Sequence, residues 1–131
     1  MTYKVCYWDA ETQSQQERDC TPAEVAEIDA RKADAVAQVA QAFQAAVVTA
    51  TQARLDTFAN TRNYDGILSA CTYASSAVPK FQSEGQYCVN ARDNTWASLY
   101  ALMGEVQAGT APMPATIDEV VALLPELTWP V

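Results

Sequence analysis

Between Pro22 and Asp65 the chain contains no glycine and no further proline, and from Val36 to Ala53 it carries no formal charge. Glycine and proline are the residues that most often end helices, so this stretch predicts one uninterrupted, alanine-rich helix. At roughly 1.5 Å per residue, Ala23 to Ala59 would extend about 55 Å, more than a compact domain of this size needs. A helix that outruns its domain packs against copies of itself or against a partner. The feature points to assembly or scaffolding and names no biochemical activity.

The start of this helix is written in Thr21-Pro22-Ala23-Glu24. Threonine caps, proline suits the first helical position, Glu24 completes a capping box, and Glu27 adds favourable charge nearby. Within the helix, Val36, Val39, Phe43, Val47 and Ala50 recur at spacings of three and four, with Gln38, Gln41, Gln44 and Gln52 opposite. Small alanines between them permit close approach of a second helix. Asp29, Lys32 and Arg54 interrupt a clean heptad, so the pattern suits a short bundle or trimer seam rather than a long regular coiled coil. Val36, Val39, Phe43 and Val47 are therefore the candidate association face.

Ahead of the helix, Tyr3 to Asp9 is apolar and aromatic enough for a strand. Ala10 to Ser14 reads as a turn and Gln15 to Cys20 as a returning strand. A lone hairpin is marginal in water and needs a helix or a neighbouring chain to pack on. The cysteines are Cys6, Cys20, Cys71 and Cys88. Reduced thiols are the first reading. A turn centred near Gln13 would set Cys6 opposite Cys20 for a disulfide, and Cys71 and Cys88 would be a second pair across two helices.

After the long helix, Ala59 to Gly66 is a polar break with turn chemistry. Ile67 to Ala74 reads as a short helix with Ile67, Leu68, Cys71 and Tyr73 facing a core. Ser75 to Lys80 reads as a loop through Pro79. Ser83 and Gln86 then offer a capping box for a helix to about Gln107, with Val89, Trp96, Leu99, Tyr100 and Met103 as its apolar set. Gly109 ends that helix, and Ala111 to Pro114 is a stiff linker. Thr116 and Glu119 cap a last helix through Leu124, and Pro125 stops it ahead of an extended apolar tail. The expected fold is mainly α: an N-terminal β-hairpin over 1–21, a long association helix over 22–60, and a small C-terminal helical subdomain over 61–131.

Composition narrows the function. Alanine supplies much of the apolar half of the 131 residues, and alanine buries little area. A net charge of -8 argues against nucleic acid, whose phosphates need clustered Lys and Arg. The glutamines and threonines within Val36 to Ala53 are too polar for a hydrocarbon core, so no membrane insertion is expected. Met1 to Val5 leads into a strand pattern rather than a signal sequence, which suggests a soluble product made in the cytoplasm.

No reaction centre is visible. Without histidine there is no Ser-His-Asp or Cys-His arrangement, and the cysteines show no CxxC spacing for zinc. Glu24 with Glu27, and Asp118 with Glu119, sit in first turns of helices, where the dipole accounts for them. Glycines are isolated, so no phosphate-cradling loop exists, and Asp56, Asp65 and Asp93 lack the density of a calcium loop. The expectation is a non-enzymatic protein with no cofactor. Two polar clusters remain: Arg62 with Tyr64, and Arg92 with Trp96. Their arginines either pair with nearby carboxylates while the aromatics pack, or form a protein-binding patch, since Arg, Tyr and Trp dominate interface hot spots. Residue types alone do not separate these readings.

The run Arg62-Asn63-Tyr64-Asp65-Gly66-Ile67-Leu68-Ser69-Ala70-Cys71-Thr72-Tyr73-Ala74 resembles a segment of small tail-fibre-associated proteins of tailed bacteriophages and prophages. The likeness continues through Pro79-Lys80-Phe81, Glu84-Gly85-Gln86, Ala91-Arg92-Asp93, Trp96, Gly109 to Pro114 and Leu124-Pro125-Glu126-Leu127. Thr21 to Ile28 is also similar to the front of such proteins, while Cys71 and Cys88 are not obviously part of the pattern. The resemblance covers most of the chain and is strongest from Leu55 onward. It implies a structural component of the phage tail, attached to fibre or baseplate and present in the virion, with other tail or fibre proteins as partners; the helical stripe adds the expectation of a homo-oligomer, a trimer favoured. The resemblance carries no catalytic residues. The alternative it leaves is a fibre-assembly chaperone absent from the mature particle.

Overall fold

The computed structural model describes residues 2–131. Strands β1 (Lys4–Asp9) and β2 (Ser14–Asp19) form an antiparallel hairpin, followed by helices α1 (Pro22–Asn60), α2 (Ile67–Thr72), α3 (Pro79–Gln107) and α4 (Ile117–Ala122). A 3-10 turn over Tyr73–Ser75 continues α2. The protein is mainly α, with an N-terminal hairpin, one long helix and a C-terminal helical part. It groups into two compact units, Met1–Ala42 and Phe43–Val131, and the boundary falls inside α1.

Local chemistry explains most element ends. The capping box at the start of α1 forms as expected: Glu24 N donates to Thr21 Oγ1 at 3.3 Å and Thr21 N to the Glu24 carboxylate at 2.9 Å. Arg18 at the end of β2 grips the same carboxylate at 2.7 and 2.8 Å, and with the Thr21 amide holds it down at a pKa of about 2. At the far end of α3, Gly109 adopts φ 74°, and Thr110 N returns to Glu105 O at 2.9 Å. Thr116 caps α4 by accepting from Glu119 N.

Several expectations are corrected. Helix α3 begins at Pro79, four residues before the expected cap at Ser83, because proline at the first turn loses no hydrogen bond and its ring keeps Val78 extended. The hairpin pairs Cys6 with Glu17, and Cys20 N donates to Tyr3 O, so Cys6 and Cys20 are not opposite. The turn centres between Glu11 and Thr12, nearer the start than Gln13. All four cysteines are free thiols. In α2 the buried residues are Ile67 and Ala70, while Leu68 points outward at 62% exposure, because a three-residue step turns it off the packed face.

The cores lie in the Phe43–Val131 unit. Leu55 and Ala59 of α1 pack with Ile67 and Ala70 of α2 and Cys88 of α3. Val47 packs with Leu99 of α3 and with Val120 and Leu124 of the α4 region. Tyr100, expected in the core, is 64% exposed, and Thr95 and Ala91 are buried instead. In Met1–Ala42 none of the described residues is buried. Tyr3 anchors the hairpin there: its hydroxyl donates to Asp29 at 2.8 Å and accepts from Lys32, whose ammonium sits 4.1 Å from the ring centroid.

Candidate functional site

The candidate residues fall in three places. Val36 and Val39 lie on the α1 stretch 29–42, where every residue is exposed, and they are 71% and 70% exposed. Phe43 and Val47 continue the same helical row but are not free. Val47 is buried in the second core and Phe43 packs against it, because α3 and the α4 region cover that part of the row.

Arg62 and Tyr64 belong to a buried carboxylate cluster. The chain turns after α1 through Asn63 at φ 64°, a left-handed conformation that asparagine tolerates, and Tyr64 N returns to Ala59 O. The turn delivers both side chains to Glu84 of α3. The Arg62 guanidinium donates to Oε1, and the Tyr64 hydroxyl donates to Oε2 at 2.7 Å. Burial by itself would raise the Glu84 pKa, but these hydrogen bonds, with the charges of Arg62 and Lys80, hold it below the usual carboxylate range. Both carboxylate oxygens are engaged, so the group works as a clamp between the post-α1 turn and α3. The extended tail joins the cluster. Trp129 stacks on Phe58 at 4.3 Å between centroids, donates from Nε1 to Thr61 Oγ1 at 2.8 Å, and lies 5.2 Å from the Arg62 guanidinium carbon.

Arg92 and Trp96 line a different feature, an open cleft of about 560 Å³ shared with Val48, Asp93 and Tyr100. Trp96 and Tyr100 lie one turn apart on α3 with ring centroids 6.2 Å apart. Arg92 Nε is buried with no hydrogen-bond partner. Among the described residues Arg92 forms no ion pair, not even with the neighbouring Asp93.

The two arginine–aromatic pairs therefore have different fates: one is a satisfied internal clamp, the other edges a surface cleft. Residue type alone does not mark Glu84 or Trp129, and nothing in the spacing of Arg62 and Glu84, 22 positions apart, announces their pairing. Among the described residues no cluster of Cys, Asp and Glu is placed to hold a metal ion, and no helix is long and apolar enough to cross a membrane. No family model, curated protein or solved structure matches the chain.

Proposed function

We propose that this chain is a structural protein of a bacteriophage tail, attached to fibre or baseplate, that works by docking to other subunits and not by catalysis. The observation that carries the reading is the free face of α1. Residues 29–42 are exposed throughout, uncharged from Ala35 onward, and present Val36 and Val39 one turn apart. A segment with no buried residue of its own gains little from folding alone, and burial against further helices supplies the missing stabilisation. The resemblance of Arg62 to Ala74 and of the later motifs to tail-fibre-associated proteins supplies the setting, the virion tail, with synthesis in the host cytoplasm. Self-association, with a trimer favoured, and attachment to fibre proteins follow from the same face.

Mass spectrometry of purified virions tests the setting: peptides at fibre or baseplate stoichiometry support it, and their absence with the fibre present favours an assembly chaperone. The docking face is tested by Val36→Asp with Val39→Asp. Light scattering should show smaller particles than wild type at equal concentration, and an unchanged mass rejects this face.

A further inference from the structure

The hairpin has two open edges, and they differ. Cys20 N donates to Tyr3 O, which makes that pair hydrogen-bonded, and antiparallel ladders alternate. With the register Lys4↔Asp19 to Asp9↔Ser14, the backbone groups of Val5, Tyr7 and Asp9 face β2. Those of Lys4, Cys6 and Trp8 face outward from β1, and those of Gln15, Glu17 and Asp19 face outward from β2. An unpaired edge is a template for another strand unless charge or distortion blocks it.

The outer edge of β2 is disfavoured against its own kind in the register that uses all its outward groups. Pairing it antiparallel with a copy, centred on Glu17, would set two Glu17 carboxylates directly opposite. The outer edge of β1 carries no such conflict. Pairing it with a copy of itself, centred on Cys6, uses every outward group of Lys4, Cys6 and Trp8. Lys4 then lies opposite Trp8 of the second copy, twice by symmetry, a cation beside an aromatic face. Shifting the register by two residues loses both Lys4–Trp8 pairs and leaves one outward residue of each copy without a partner inside the strand. Trp8 is 68% exposed and Lys4 and Cys6 are exposed; the Lys4 ammonium lies 3.6 Å from the Glu17 carboxylate, a solvent-exposed ion pair weak enough to yield to a second copy.

We propose that the outer edge of β1 is a self-pairing surface that adds antiparallel to β1 of a second copy, centred on Cys6, to make a continuous four-stranded sheet. This interaction goes beyond the helical docking face and does not depend on it. It gives the hairpin the extra strands that a lone pair lacks.

Centring on Cys6 places two thiols on opposing residues with Cα atoms about 5.5 Å apart, within disulfide reach. Oxidation of the intact protein with copper–phenanthroline, followed by non-reducing peptide mapping, should yield a Cys6–Cys6 linked dimer. Cys6→Pro should cut the sedimentation mass two-fold with the far-UV circular dichroism unchanged, because the Cys6 amide faces away from β2 and proline is tolerated there. Val36→Asp with Val39→Asp should keep the Cys6 link. Absence of the link, its loss in the helix variant, an unchanged mass for Cys6→Pro, or a mass growing without limit with concentration would each overturn self-pairing at this edge.

Discussion

The Tyr64 hydroxyl donates a 2.7 Å hydrogen bond to Oε2 of Glu84, a carboxylate on a residue only 3% exposed within α3. Arg62 holds the other oxygen, so a charged group sits in the core unit with its acceptors filled. Because the folded-state pKa of Glu84 is depressed, its contribution is present above the unfolded carboxylate value of about 4.3 and is lost as pH falls through the lower folded value. Glu84→Gln should cost about 1–3 kcal/mol at pH 7 in urea unfolding. The gap to wild type should narrow as pH drops below about 4.3. A gap constant from pH 7 to pH 3 would contradict the clamp.

The same contact acts in the opposite sense on Tyr64. Burial, then the hydrogen bond and charge of Glu84, push its hydroxyl up to about 12 from 10.0. A raised pKa favours the protonated form in the folded state, so this stabilisation is complete below pH 10 and disappears as pH rises through 12. Tyr64→Phe should therefore remove one alkaline component of the stability profile. Subtracting the two unfolding curves between pH 8 and pH 12 should give a difference that declines over the upper half of that range.

Gly85 marks where the 3-10 turn touches α3. A methyl group there would lie 2.3 Å from Ala74 N and 2.4 Å from the Tyr73 carbonyl carbon, both backbone atoms that cannot step aside cheaply. Gly85→Ala should cost about 3 kcal/mol or more. Gly104 lies in the same helix with nothing within 4 Å of an added methyl. Gly104→Ala should stabilise by up to about 1 kcal/mol, so thermal melts of the two variants should move in opposite directions.

Trp129 secures a tail that has no secondary structure of its own. It stacks on Phe58 and donates to Thr61, while Thr128 N donates to the Tyr87 hydroxyl at 2.7 Å and Arg54 Nη2 donates to Pro125 O at 2.7 Å. Trp129→Ala should cost about 2–4 kcal/mol and speed hydrogen exchange at Thr128. Unchanged exchange there would mean the stack does not hold the tail.

Local signals in the residues were legible where the chemistry is local. Thr21 to Glu24, Gly109 and Thr116 to Glu119 each specify a helix end through neighbours within five positions, and the structure has all three. At the start of α3 two start signals compete, and Pro79 prevails over Ser83 by being earlier and conformationally fixed. The clamp was not legible, since Arg62 and Glu84 meet only after α1, α2 and α3 have packed. A glycine inside a helix costs about 1 kcal/mol against alanine, but α3 holds two, and only the packing separates Gly85, where backbone approaches closely, from Gly104, where nothing does. Helical spacing also showed that Val36, Val39, Phe43 and Val47 share a row, but spacing says nothing about what covers each turn.

That last distinction separates folding from docking along one helix. Phe43 packs on the core formed by Val47, Leu99, Val120 and Leu124, whereas Val36 is 71% exposed. Phe43→Asp places a charge against apolar side chains, so the monomeric unit should lose about 2–4 kcal/mol. Val36→Asp meets only solvent in the single chain, and its unfolding free energy, measured at a concentration low enough to keep the protein monomeric, should stay within about 0.5 kcal/mol of wild type. Raising the concentration should then separate wild type from Val36→Asp, because only the docking face still distinguishes them. Equal losses for the two variants at low concentration would show that the exposed turns of α1 are already covered within the chain, and the docking face would have to be sought elsewhere.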